Sequence, residues 1–169
     1  QASASDGQVL TYNSSSGIIE LADAGGVTSI NGLSDGVNDS DDNLGLGSGA
    51  LSNITAGSGI MNTSVGDNAG LNVTTGDQSV YLGKNAASSI TTGYSNVSVG
   101  YGALGGSSGH TTIAIGHSAV SGGSYAGNHN IGIGYQTQNG ALSTDHNIAI
   151  GYRSQYAQTT GACNVSIGF

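Results

Sequence analysis

Apolar side chains in this chain come in pairs, one residue apart, and each pair is closed by a glycine. The phrase reads Leu44-Gly45-Leu46-Gly47, Thr63-Ser64-Val65-Gly66 (a threonine in the first apolar place), Val80-Tyr81-Leu82-Gly83 and Val97-Ser98-Val99-Gly100. It continues as Ile113-Ala114-Ile115-Gly116, Ile131-Gly132-Ile133-Gly134, Ile148-Ala149-Ile150-Gly151 and Val165-Ser166-Ile167-Gly168. The closing glycines lie 19, 17, 17, 16, 18, 17 and 17 residues apart. An apolar-x-apolar step has a period of two, so both apolar side chains face one side of a short strand. Valine and isoleucine suit such a pleated, half-buried surface. Recurrence at a fixed period of this length marks stacked supersecondary units, a solenoid of rungs about 17 residues long. No segment carries an apolar stripe of period 3.6, and 31 glycines in 169 residues weigh further against helix.

Polar and small residues keep the same register. Four residues before each closing glycine stand Asn43, Asn62, Ser79, Asn96, Thr112, Asn130, Asn147 and Asn164. Three residues after it stand Ala50, Ala69, Ala86, Ala103, Ala119, Thr137 and Ser154. A second glycine recurs seven residues before it, three times as the end of a Thr-Thr-Gly triplet (Gly76, Gly93 and Gly161). Asparagine and glycine around a strand are turn punctuation, and the small column predicts close backbone packing. Each rung is expected to run strand, corner, short second strand or loop, then a return turn. Eight rungs stacked at strand spacing give a rod on the order of 40 Å long. Two or three medium apolar side chains per rung are too few to offset the ordering of its backbone. Each rung therefore needs neighbours above and below, and sister chains alongside.

Composition narrows the function. The formal charge is −8, and Lys84 and Arg153 are the only basic residues apart from histidine. Nucleic-acid binding is disfavoured, since phosphate contacts need lysine and arginine. No apolar run reaches membrane-spanning length, so membrane insertion is not expected. Charged residues are 7% of the chain, leaving solubility to Ser, Thr, Asn and Gly. The one cysteine, Cys163, permits no internal disulfide and reads as a small packed residue. The chain starts without methionine at Gln1 and stops at Phe169 in mid-rung, so both ends are expected to be cuts in a longer protein. No nucleophile–base set, paired carboxylates or phosphate loop is visible, and an enzyme or a cofactor is not expected.

Residues 1–42 lack the repeat and form a leader to the 43–169 repeat domain. Gln8–Tyr12 and Ile18–Leu21, separated by a polar turn, predict a β-hairpin. Ala24-Gly25-Gly26 reads as a joint. Asn38-Asp39-Ser40-Asp41-Asp42-Asn43 has the composition of a calcium loop but not its spacing, and is expected to be a solvated acidic loop.

The segments Asn96-Val-Ser-Val-Gly100, Thr111-Thr-Ile-Ala-Ile-Gly116 and His146-Asn-Ile-Ala-Ile-Gly151 resemble the head repeats of trimeric autotransporter adhesins. The longer unit Asn62-Thr-Ser-Val-Gly-Asp-Asn-Ala-Gly70, followed by Asn72-Val-Thr-Thr-Gly76, is similar to repeats of bacteriophage tail fibres. The leader, from Asp6-Gly-Gln-Val-Leu-Thr-Tyr12 to Ile30-Asn-Gly-Leu-Ser-Asp-Gly36, resembles the segment that precedes such repeats. The resemblance implies a left-handed parallel β-roll, homotrimeric, on a virion tail or at the cell surface, touching a host glycan or protein. Rungs of adhesin heads are commonly shorter, so the extra residues are expected to bulge at the Thr-Thr-Gly side. The alternative is a subunit of a non-viral extracellular filament or adhesin, glycosylated or joined end to end, the leader hairpin capping the next copy.

One column draws attention as a recognition strip. After the closing glycine stand Tyr101, His117, Tyr135, Tyr152 and Phe169 in consecutive rungs, preceded by Ser48, Asp67 and Lys84. They read either as stacked rings that stabilise the roll or a seam between chains, or as an aromatic strip for glycans. His129 and His146 also share a register, but lack the carboxylate set of a metal site and read as packing, so no metal is expected. Asn-x-Ser/Thr sequons stand at Asn13, Asn38, Asn53 and Asn72, which are glycosylation candidates, and at Asn62, Asn96 and Asn164. Asn96 and Asn164 lie in the strand-entry column and are expected to be too packed for a glycan.

Overall fold

The structure, a computed structural model, describes residues 8–13, 18–23, 36–38, 41–106, 109–122, 127–140 and 145–169, the first three segments as backbone. Strands β1 (Gln8–Asn13) and β2 (Ile18–Asp23) pair antiparallel as the predicted hairpin, with Gln8 opposite Asp23. The joint at Ala24–Gly26 lies outside the described residues, as do Asp39 and Ser40 of the acidic loop. Strand β3 (Gly36–Asn38) belongs to the leader by sequence, yet pairs antiparallel with the first rung.

Eight three-residue strands follow, one per repeat: β4 (Leu44–Leu46), β5 (Thr63–Val65), β6 (Val80–Leu82), β7 (Val97–Val99), β8 (Ile113–Ile115), β9 (Ile131–Ile133), β10 (Ile148–Ile150) and β11 (Val165–Ile167). They stack in chain order as one parallel sheet, and every pair aligns repeat position with repeat position, Val97 beside Ile113 and Ile113 beside Ile131. The architecture is an all-β parallel solenoid, and no helix occurs among the described residues.

The rest of each rung is not a second strand. All nineteen non-glycine residues with positive φ among those described fall in three columns. One lies five residues before the closing glycine, from Asp42 to Cys163; the others lie two and four residues after it. Such concentration makes the left-handed conformation a property of the repeat, even for β-branched Thr111 (φ 55°) and Val120 (φ 50°), which resist it elsewhere. Its cause is hydrogen bonding. Past the corner, Ser118 N–H donates to Tyr101 O in the rung before, while Val120 N–H donates to Thr137 O in the rung after. Between them Ala119 N–H turns back to Gly116 O within its own rung, so N–H groups two residues apart point up and down the stack, and this side bonds its neighbours without being a strand.

Asparagine is the corner before six of the eight strands, with Ser79 and Thr112 at the other two. Asn62 Nδ2 donates to Gly76 O (2.8 Å) in the next rung, Asn62 Oδ1 accepts from Ser79 N–H (3.1 Å), and Asn62 N–H donates to Asn43 Oδ1 (2.9 Å). Asn96 repeats the pattern with Gly109 O and Thr112 N–H. These amides are fully buried, and their bonds remove the cost of burying them. The asparagine amide carries its donor and acceptor on separate atoms and so reaches two groups of the next rung at once, whereas Ser79 and Thr112 in the same column donate within their own rung, to Asp77 O and His110 O.

The interior is narrow, and the paired residues are half-buried as expected of them. The paired Val and Ile side chains are not the core: the residue between them points inward, giving Ser64, Tyr81, Ser98, Ala114 and Ala149 fully buried. Opposite lie Ala69, Ala86, Ala103 and Ala119, joined by Leu51, Leu104 and Val120 and by an unanticipated column of Ile54, Val73 and Ile90. Only small residues fit between strand and alanine column, and the serine hydroxyls bond across it, Ser64 Oγ to Ala69 O (2.7 Å) and Ser98 Oγ to Ala103 O (2.8 Å). Tyr81 is the exception, accommodated because the facing position is Gly70, where a Cβ would stand 2.8 Å from Tyr81 Cδ2. Among the described residues the Tyr81 hydroxyl has no hydrogen-bond partner, and burial pushes its pKa up to about 12.

Two predictions follow from this packing. Gly100 has φ +126° and a Cβ there would meet Gly116 O at 2.6 Å, whereas Gly57, with φ +73°, has open space around it. Gly100→Ala should lower stability by more than roughly 3 kcal/mol, and Gly57→Ala by about 1 kcal/mol, in denaturant unfolding. Tyr81→Phe should fold with unchanged or higher stability, since it removes an unpartnered buried hydroxyl. The unfolded chain releases the Tyr81 proton near pH 10 and the folded chain near pH 12. Between these values the unfolded state binds fewer protons, so this contribution is intact below pH 10 and lost as pH rises. The stability of the parent relative to Tyr81→Phe should therefore fall from pH 10 to 12 and stay level below.

Candidate functional site

The parallel register turns each repeat position into a line along the rod. Three lines face outward and carry chemistry. The first is aliphatic. Leu44, Val80, Val97, Ile113, Ile131 and Ile148 form one ridge, broken only by Thr63 in the second rung, and Leu46, Val65, Leu82, Val99, Ile115, Ile133 and Ile150 the other. Each is half-buried or partly exposed, Ile115 by 37%. No charged residue interrupts either ridge. Period two had fixed that these residues share a face, but not that the face is the outer one.

The second line is the aromatic ladder. The structure brings all five of its predicted members together as a continuous stack. Ring centroids are 5.1 Å apart for Tyr101 and His117, 5.2 Å for His117 and Tyr135, 5.2 Å for Tyr135 and Tyr152, and 5.5 Å for Tyr152 and Phe169. All five are exposed, from 39% for Tyr135 to 97% for Phe169. The spacing is that of the rungs, so the sheet sets the stack. Rings that face one another present their edges and hydroxyls to solvent along most of the ladder.

The third line surrounds the strand entry. His129 and His146 stack at 4.9 Å, and a shorter stack missed in the sequence joins Tyr94 to His110 at 4.1 Å. His110 Nδ1 accepts from Tyr94 N–H (3.3 Å), and His110 N–H donates to Asn128 Oδ1 (2.9 Å). Asp145 Oδ1 accepts from Asn128 N–H (2.7 Å), so this carboxylate is engaged with backbone. No group of three or more metal-ligating side chains is assembled among the described residues. Asp41 is likewise bound to backbone, its Oδ2 accepting from Gly57 N–H at 2.6 Å. Cys163 is exposed rather than packed, because it lies in the outward column of His129 and His146.

The basic residues differ in surroundings. Lys84 pairs with Asp67 (2.8 Å), which raises its pKa. The Arg153 guanidinium lies over the ring of Tyr156, Cζ to centroid 4.4 Å, with Tyr152 at 5.7 Å. Sequence reading counted Arg153 only as charge, and the aromatic residues on either side of it, at 152 and 156, were the available signal. Of the sequons, Asn53 and Asn72 are exposed, and Asn62 and Asn96 are fully buried. Asn164, in the last rung, is exposed. The side chains of Asn13 and Asn38 lie outside the described residues. Comparisons with known protein families, curated proteins and solved structures give no match to this chain.

The ladder geometry predicts unequal costs along its length. Tyr135→Ala removes two ring contacts and Tyr101→Ala one. At about 0.5–1.5 kcal/mol per aromatic pair, Tyr135→Ala should be the more destabilising by about one such increment, read by thermal unfolding of the two variants side by side.

Proposed function

We propose that this chain is a structural and adhesive fibre segment, best described as part of a phage tail fibre that contacts a host surface. The observation that carries this reading is the conversion of single repeat positions into continuous outward lines of aliphatic and aromatic side chains along a rigid rod. Such an object displays; it does not enclose a reacting group. The segment belongs on a virion tail or in another extracellular setting, where a surface of Ser, Thr, Asn and Gly keeps a weakly charged rod in solution.

The working form is a homotrimer of left-handed rods with the aliphatic face inward. Support comes from that face. Two uncharged ridges of Leu, Val and Ile, half-exposed over eight rungs, form a larger apolar patch than a monomeric rod normally leaves to water. Copies related by rotation present the same face to one another, and a closed ring satisfies it completely. The antiparallel pairing of β3 with β4 covers the leading edge of the sheet within the chain, which disfavours polymerisation through that edge.

Native mass by light scattering, with electron micrographs of the same sample, tests this. The expected result is a discrete trimer of short rods. Ile131→Asp with Ile133→Asp should shift it to monomer while the far-ultraviolet spectrum stays β-rich. Filaments with an axial repeat of one chain would favour the extracellular-polymer alternative, and a stable monomer would remove the trimer.

A further inference from the structure

We propose that Arg153, framed by Tyr152 and Tyr156, is the point at which the rod takes the carboxylate of an acidic sugar. The inference rests on the reading of the rod as a surface-attachment segment and names the chemistry it would attach to. It starts from charge. In a chain of net charge −8 with two basic residues besides histidine, Lys84 is neutralised by Asp67, and Arg153 has no carboxylate within ion-pair distance among the described residues. An exposed cation left unpaired in an acidic protein is available to an anionic ligand.

The guanidinium is also held in place. Arg153 N–H donates to Tyr135 O (2.9 Å), and its carbonyl accepts from Tyr156 N–H (3.0 Å), so the backbone is tied on both sides. Its Nε donates to Gln136 Oε1 (3.0 Å) in the preceding rung. The guanidinium carbon lies 4.4 Å from the centroid of the Tyr156 ring and 5.7 Å from that of Tyr152. With Nε engaged, the paired terminal nitrogens are the end that remains for a ligand, and their spacing matches the two oxygens of a carboxylate. Because the side chain is already ordered, binding carries little further entropy cost.

The neighbours select a sugar. Tyr152 has both faces occupied, by Tyr135 and Phe169. Tyr156 makes no ring stack among the described residues and is 39% exposed, so ring surface beside the guanidinium remains for the apolar face of a pyranose. Tyrosine hydroxyls at the ring edges supply hydrogen bonds to sugar hydroxyls. A ring with an apolar face and an attached carboxylate, as in a uronic or sialic acid, fits this combination. A polyphosphate chain recruits several cations and finds one here.

The test uses the whole chain with immobilised oligogalacturonate and 3′-sialyllactose, each as the free acid and as its methyl ester. The expected result is binding to at least one free acid and loss on esterification. Arg153→Gln should weaken binding by about tenfold or more, as loss of a charge-assisted pair does. Arg153→Lys should recover part of it, and Tyr156→Ala should weaken binding with an unchanged melting temperature. Equal binding of acid and ester, parent-like binding by Arg153→Gln, or no binding to either acid overturns the proposal. Displacement by polyglutamate at equal carboxylate concentration also overturns it, in favour of an acidic peptide. A trimeric rod indifferent to carboxylate keeps the fibre reading and loses this one; a monomer that binds the acids through Arg153 does the reverse.

Discussion

The fold depends on one constraint, the register between consecutive rungs, and the asparagine column enforces it most directly. A backbone ladder alone would accept a slip along the strand, because N–H and C=O groups look alike at every residue. The asparagine amide does not accept one. Asn62 holds a carbonyl at Gly76 and an N–H at Ser79 at once, and both move away if the next rung shifts by a residue. The interior depends on the same register: large residues such as Tyr81 are tolerated because Gly70 lies opposite, not one position along. The outward ladders depend on it too, since rings stack only when their rungs align.

Much of this was legible in the sequence. The closing glycine, the asparagine column and the alanine column all mark positions where backbone or a bonded amide leaves few alternatives, and these announce themselves by recurring. The hairpin of β1 and β2 was legible from alternation and turn residues. The aromatic ladder was legible because five consecutive rungs carry a ring in one place.

What escaped has physical reasons. Period two cannot say which face is inward, and in most folds valine and isoleucine decide that; here the rung is too narrow for them, and serine and alanine take the interior. The three left-handed columns hold residues as unlike as Met61, Val120 and Arg153, because inter-rung hydrogen bonds, not side-chain preference, set their backbone. The Ile54, Val73 and Ile90 column occupies only the first three rungs, too short a run to stand out. Arg153 was overlooked as a site because its partners lie in two places, Gln136 one rung back in its own column and Tyr156 three residues on, and only the flanking aromatic residues hinted at it.

Rung lengths vary from 16 to 19 residues between closing glycines, yet every strand pairs in the same register with the next. By sequence the difference falls between the position four residues after one closing glycine and the position seven residues before the next, outside the paired strands. The rod thus separates what must be invariant from what is free to drift: its sheet is a fixed chassis, and rung length varies outside it. A rung can lengthen there without shifting the paired strands, so surface chemistry can diversify one step at a time while the length of the rod remains that of its rung count.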